Sequence, residues 1–297
     1  MDPASARTES PFDLDRDHAY ADWRAAKLEH YPRRLEDLMV EVGDPRSLTG
    51  AEHEAILERC RRANMAVYIS RAGEQADKGL IRALGTQLGL SRLDHNPGAD
   101  EDAITALTVQ SDALHAGYIP YTDRPLAWHT DGYYNDSQHQ IRGMLLHCVR
   151  PAASGGENAL LDHEILYILL RDRDPAHIRG LMHPQAMTIP ANVVDGRVLR
   201  PEQTGPVFSV QPDGRLHMRY TDRKRNILWR DHPETSDAVA ALKEILHGDT
   251  PYRLQGRLEP GWGLVNNNVL HSRTRFEDGE RPRLVYRARY YDRIAGT

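Results

Sequence analysis

From about residue 104 onward the chain breaks into short runs of β-forming residues between clusters of Pro, Gly, Asp and Asn, and this alternation restricts the fold more than any single motif. The runs are 104–110, 125–130, 141–149, 157–162, 185–190, 206–210, 215–220, 251–257, 262–267 and 283–291. Helical spacing interrupts them at 163–182 and 236–247; in the latter Val239, Leu242, Ile245 and Leu246 form a stripe that Gly248 ends. Many short strands with few inserted helices suit an antiparallel sandwich or barrel rather than a doubly wound sheet. Neither a P-loop nor a GxGxxG turn occurs.

The first ninety residues read as mostly helical. Tyr20 and Trp23 lie at helical spacing and Pro32 interrupts that segment. Leu35, Leu38, Met39 and Val42 fall at i, i+3, i+4 and i+7, which predicts an amphipathic helix. Thr49 and Glu52 predict a capping box ahead of Ile56, Leu57 and Cys60. "MAVYIS" (65–70) predicts a buried strand, and 75–90 a helix carrying Leu80, Leu84 and Leu88 that stops near Gly89. The organisation expected is an N-terminal arm and helical region, 1–64, followed by one domain, 65–297.

Charge and cysteine content remove several classes. Among 297 residues the net charge is −5 and no dense Lys/Arg run appears, so neither nucleic acid nor an anionic membrane is an expected partner. No apolar run approaches the ~18 residues that cross a bilayer. Cys60 and Cys148 can build neither a disulfide framework nor a four-thiolate zinc site. Two thiols without CxxC spacing suit reduced, buried side chains, and the first eighteen residues lack the features of a signal peptide, so the expected compartment is the cytoplasm.

The chemistry concentrates in "RPLAWHTDGYYND" (124–136). On an extended segment His129 and Asp131 point to the same face, so an imidazole and a carboxylate can reach one ion. Alone, HxD is a weak signal that a surface His–Asp pair explains equally well. The tail, "GWGLVNNNVLHSRTRFEDGERPRLVYRARYYD" (261–292), adds His271 after one predicted strand and Arg283, Arg287 and Arg289 along the next. By alternation the three arginines share a side, and burying them calls for anions such as carboxylates. A solvent-facing arginine ladder is the bland alternative. Two histidines and one carboxylate on one face of an octahedron are the ligand set of non-heme Fe(II) oxygenases.

With these residues in place the chain resembles the taurine dioxygenase/clavaminate synthase-like superfamily of Fe(II)- and 2-oxoglutarate-dependent oxygenases over roughly 65–292. "WHTDGYY" matches the family's WHTD motif, and "LHSRTRFEDGERPRLVYRARYYD" matches its distal-histidine segment. "MLLHCVRPAASGGENALLD" (144–162) resembles the stretch between them, and "GPVFSVQPDGRLHMRYTD" (205–222) one seen in gamma-butyrobetaine hydroxylase and glutarate hydroxylase relatives. The resemblance implies a double-stranded β-helix (jelly-roll) core flanked by helices, mainly β. It implies Fe(II) ligation by His129, Asp131 and His271, with 2-oxoglutarate and O2 as cosubstrates. Arg283 would meet the distal carboxylate of 2-oxoglutarate, with Asn158 where relatives carry Thr or Ser. Arg287, in the position that meets the substrate's anion in taurine dioxygenase, would bind substrate or support the cosubstrate; Arg289 shares that candidacy.

The implied reaction is hydroxylation of an unactivated C–H bond of a small, anionic substrate with release of succinate and CO2. Desaturation or oxidative cleavage stays open. Asp131 argues against halogenation, since related halogenases carry a small residue there. Tyr133, Tyr134 and Asn267 are candidate substrate contacts; the tyrosines could equally pack at the rim and Asn266, Asn267 and Asn268 could form a turn. His147 and His163 read as core residues, and His115, His139, His183, His217 and His247 lack partners at ligand spacing. Tyr118 and Tyr121 line an entrance or pack. A non-catalytic metal sensor of the same fold and a zinc hydrolase are rival classes; neither gives Arg283 a role. Homo-oligomerisation through the helical N-terminal region stays open.

Overall fold

The computed structural model describes residues 10–95, 102–109, 119–223 and 227–297. His115 and Tyr118 therefore lie outside the described residues. Ten strands build two sheets: β1 (Met39–Val42), β2 (Met65–Ser70), β3 (Ile104–Leu107), β4 (Leu126–His129), β5 (Gly143–Arg150), β6 (Asn158–Leu161), β7 (Leu254–Gly256), β8 (Trp262–Asn266), β9 (Leu270–Arg273) and β10 (Leu284–Tyr290). The six-stranded sheet runs β1-β2-β8-β5-β10-β3 and the four-stranded sheet β7-β6-β9-β4. Only the β1–β2 pair is parallel within these two sheets. Among the described residues four smaller sheets of two or three short strands lie outside them, including the hairpin Asn192–Val194 with Arg197–Arg200. Helix and strand share the chain, so the structure is mixed rather than mainly β.

Alternation along β10 explains how the sheets stack. Val285 joins Leu146, Leu160, Leu264 and Leu270 in the core that spans both sheets. Tyr286, Ala288 and Tyr290 turn the other way, into a second core with Leu80 and Leu84 of the helix Lys78–Gln87 and with Leu88 just after it. Arg287 and Arg289 share the side of Val285 and so enter the space between the sheets.

The helices form where caps and spacing direct them: α1 (Asp17–Glu29), α2 (Gly50–Ala63), α3 (Lys78–Gln87), α4 (His163–Arg173), α5 (Pro175–Met182) and α6 (Pro233–His247). The Thr49–Glu52 capping box is present at α2. Asp77 caps α3, and Gly89 leaves it at φ +75°. The single helix expected over 163–182 is two, because Asp174 leaves helical geometry to cap Ala176 and Pro175 opens the second at N1. The helix expected over Leu35–Val42 is instead a 3-10 turn, Leu35–Leu38, followed by β1. Four apolar positions fit either period, and pairing of β1 with β2 decides the matter.

β1 belongs to the six-stranded sheet, and Tyr20, Leu35 and Leu38 pack in the same core as Leu161 and Leu270. A buried ion cluster binds α1 to the rest: Lys27 Nζ lies 2.7 Å from Asp162 Oδ2 and 2.5 Å from Glu164 Oε2. Among the described residues no helix is long and apolar enough to cross a membrane. Cys60 and Cys148 are buried free thiols.

Candidate metal centre

β4 ends at His129 and β9 carries His271, and the two are direct partners in the antiparallel pairing. Their rings stand 4.2 Å apart, centre to centre. Asp131 follows two residues after His129, and one ligand atom from each of the three lies within 4.8 Å of the others. All three are buried.

Backbone carbonyls select the imidazole tautomers. His129 Nδ1 lies 2.9 Å from Ala127 O and His271 Nδ1 3.0 Å from Val269 O. A carbonyl only accepts, so each Nδ1 carries the proton and each Nε2 offers a lone pair. Those Nε2 atoms face Asp131 Oδ1 at 3.4 and 3.9 Å. Burial, then the neighbouring His129, pushes the His271 pKa down to about 4, which keeps it neutral at pH 7. Burial alone would raise the Asp131 carboxyl; Arg287 chiefly, with His129 and Arg289, holds it well below the usual carboxylate range. Two imidazoles and one carboxylate, buried and convergent, fit a divalent transition metal.

The other oxygen of Asp131 belongs to the arginines. Arg287 Nη1 is 3.2 Å from Asp131 Oδ2 and Arg289 Nη1 4.0 Å from it. Arg289 also pairs through Nη2 with Asp94 and donates from Nη1 to the Tyr134 hydroxyl at 3.1 Å. Both guanidinium groups are thus held by protein carboxylates.

Arg283 sits apart from this cluster. It is buried, its Nη1 has no hydrogen-bond partner, and it lines a cavity with Asn158, Arg257, Cys148, Leu146 and Val285. Burial pushes its pKa down, a sign that an anion is wanted there. Asn158 opens β6 in that cavity, paired with Gly256 and Arg273.

Tyr133 and Tyr134 pack edge to face at 5.1 Å, half-buried just beyond Asp131. Asn267 is not available to substrate: its amide donates to Asn64 Oδ1 and Thr297 Oγ1, and its carbonyl accepts from Ile294 N. Sequence reasoning missed the role of Asn268. Its Oδ1 accepts from Asp131 N at 2.8 Å, and its Nδ2 donates to Asp131 O at 2.9 Å and Ile141 O at 2.7 Å. It does so from a left-handed φ of +56°, where Asn is among the few tolerated residues. Three consecutive asparagines before a ligand histidine were the only signal.

The remaining histidines have partners of other kinds. His147 meets the Tyr68 hydroxyl at 2.8 Å, and His163 Nε2 donates to Leu216 O. His139 pairs with Asp136 and His247 with Asp222. Tyr121 packs in the core that spans the sheets.

The family model described as taurine catabolism dioxygenase TauD, TfdA family matches residues 36–289. Two curated relatives are uridine-5'-phosphate dioxygenases. The one from Amycolatopsis sp is 34% identical over 160 residues, 51% of this chain and 55% of its own length. The one from Streptomyces sp is 32% identical over 202 residues, 64% of this chain and 69% of its own length. The first alignment thus spans little more than half of that relative. Asparagine oxygenase in complex with Fe(II), 2S,3S-3-hydroxyasparagine and succinate superposes with a TM-score of 0.59 at 14% identity, covering 96% of this chain and 86% of its own. AAD-2 in complex with Mn(II) and N-oxalylglycine gives 0.59 at 13% identity, covering 88% and 96%. At those identities the structural likenesses speak to the fold.

Proposed function

Because the chain belongs to the taurine catabolism dioxygenase TauD, TfdA family, we propose that it is an Fe(II)- and 2-oxoglutarate-dependent dioxygenase that oxidises a C–H bond of a nucleoside 5'-monophosphate. The observation that carries the chemistry is the meeting of His129, Asp131 and His271 within 4.8 Å. The two uridine-5'-phosphate dioxygenases, which match at 34% and 32% identity, support that substrate class. The two stacked sheets are read as the halves of a double-stranded β-helix, with the metal ligands on β4 and β9 of the smaller one.

Iron held by these three residues would supply dioxygen activation, coupling oxidation of the substrate to conversion of 2-oxoglutarate to succinate and CO2. The chain's own residues do the rest. His129 and His271 present Nε2 in the only tautomer their backbone bonds allow. Asp131 offers Oδ1 to the metal while Arg287 neutralises Oδ2, which keeps the carboxylate ionised and fixed. Arg283 and Asn158 would hold a carboxylate of 2-oxoglutarate in the cavity they line, and it would give Nη1 of Arg283 the partner it otherwise lacks. Tyr133 and Tyr134, half-buried just after Asp131, are candidate walls of the substrate site.

The test is succinate release under Fe(II), 2-oxoglutarate and O2 with uridine-5'-phosphate as substrate, alongside uridine, asparagine and taurine. Succinate formation stimulated above background by the nucleotide supports the reading. Stimulation by an amino acid or a sulfonate, and none by any nucleotide, overturns the substrate class.

A further inference from the structure

The sequence made Arg287 and Arg289 the expected contacts for a substrate anion, and the structure commits both elsewhere. Arg287 faces Asp131, and Arg289 faces Asp94 and Tyr134. Arg283 lines the cavity that also holds Asn158. A phosphate beside this metal centre needs other cations.

The segment after Met218 supplies one. Thr130 and Tyr220 exchange hydrogen bonds, Thr221 forms an isolated bridge with His129, and Asp222 N donates to Trp128 O. This segment therefore runs alongside the HxD strand. Arg223 follows, half-buried, and among the described residues it has neither a carboxylate nor a hydrogen-bond partner. Asp222, the nearest acid in sequence, is taken by His247 at 2.6 Å.

A second cation comes from a separate segment. Arg200, at the end of the hairpin Arg197–Arg200, places its guanidinium 5.5 Å from the centre of the Tyr134 ring. Pro190 O at 2.7 Å and Pro201 O at 3.2 Å hold it in place. Tyr134 itself is close to the metal ligands: its hydroxyl is 3.1 Å, and Asp131 Oδ2 4.0 Å, from the same Nη1 of Arg289, so the two oxygens are at most about 7 Å apart. Arg200 over Tyr134, and Arg223 at the end of the segment beside the HxD strand, thus bring two guanidinium-bearing residues from separate segments to the edge of the metal centre. Planar forks of this kind suit a phosphomonoester dianion, and the tyrosine faces suit the ring system attached to it.

We propose that Arg223, with Arg200, forms the phosphate subsite of the substrate pocket, beside Tyr133 and Tyr134. This rests on the nucleotide reading above and adds the residues that would distinguish a nucleotide from its nucleoside.

The test is titration calorimetry on protein loaded with Mn(II) and N-oxalylglycine, which binds substrate without turnover. Uridine-5'-phosphate, uridine, adenosine-5'-phosphate and inorganic phosphate are titrated into the wild type, R223Q, R223K and R200Q. In R223Q the affinity for uridine-5'-phosphate should fall about 10- to 100-fold with uridine unchanged, the loss expected for charge-assisted bonds. R223K should recover part of it, and R200Q should show a smaller loss of the same kind. N-oxalylglycine affinity and the thermal midpoint should stay at wild-type values, which separates a binding role from a folding one. Equal weakening of nucleotide and nucleoside, or no weakening in R223Q, overturns the phosphate assignment and leaves the nucleotide reading standing. An Arg223-dependent preference for another phosphomonoester, with uridine-5'-phosphate ignored, supports the subsite and overturns uridine as the base. No binding of any phosphorylated probe overturns both.

Discussion

Replacing Asn268 with glycine removes an amide that grips Asp131 from both sides while leaving the left-handed backbone unstrained. Three hydrogen bonds are lost, to Asp131 N, Asp131 O and Ile141 O. At about 1 kcal/mol each, the apo protein should lose roughly 3 kcal/mol. Alanine should cost about 1 kcal/mol more, because its Cβ resists a positive φ. Both variants should still fold if the total stability lies in the usual range of about 5–15 kcal/mol. The more telling effect is on the metal. Asn268 stands three residues before His271 and fixes the backbone of Asp131, so it sets the separation of two ligands on different strands. Loss of a group that orients a ligand typically weakens metal binding about 10- to 100-fold. Scanning calorimetry of the apo protein and Mn(II) titration of the same samples measure the two effects separately. A thermal midpoint that falls while Mn(II) affinity stays within about twofold of wild type would refute the positioning role and leave Asn268 a simple turn residue.

Other expectations rest on equally local observations. H271A should lose metal retention and turnover together, whereas R283A should keep the metal and raise the 2-oxoglutarate requirement; equal metal loss in both, measured by metal analysis after desalting, would contradict their separate roles. K27M leaves Asp162 and Glu164 buried without their cation and should cost about 3–5 kcal/mol in denaturant unfolding. Burial holds His147 near pKa 4 and His217 near 3, against 6.5 for an unburied imidazole. Between those values the unfolded chain binds more protons, so the stability from both is full above pH 6.5 and lost as pH falls through 4 and then 3. Thermal midpoints recorded downward from pH 7.5 should fall through that window, and H147Q, able to keep a bond to Tyr68, should reduce the slope.

How much of this could be read from the chain alone follows the range of the forces. His129 and Asp131 are legible because their geometry depends on two residues of extended backbone. Pairing of His271 with His129 is a contact across 142 positions, yet the motif around each histidine carried it through the family resemblance. Arg287 and Arg289 lie on the expected face, but spacing cannot tell whether substrate or Asp131 and Asp94 will neutralise them, and the protein's own carboxylates take them. Asn267, read from the sequence as a substrate contact or a turn residue, bonds Thr297 and Ile294, contacts that local spacing does not reveal. Leu35–Val42 fits a helical period over too few residues to outweigh a free edge beside β2.

The most direct measurement of the metal assignment is the anomalous signal of Mn(II) in crystals grown anaerobically with N-oxalylglycine. The expected result is one ion within bonding distance of Nε2 of His129, Nε2 of His271 and a carboxylate oxygen of Asp131, with a carboxylate of N-oxalylglycine on Arg283. An ion bound elsewhere, or those three side chains left without one at saturating Mn(II), would contradict it.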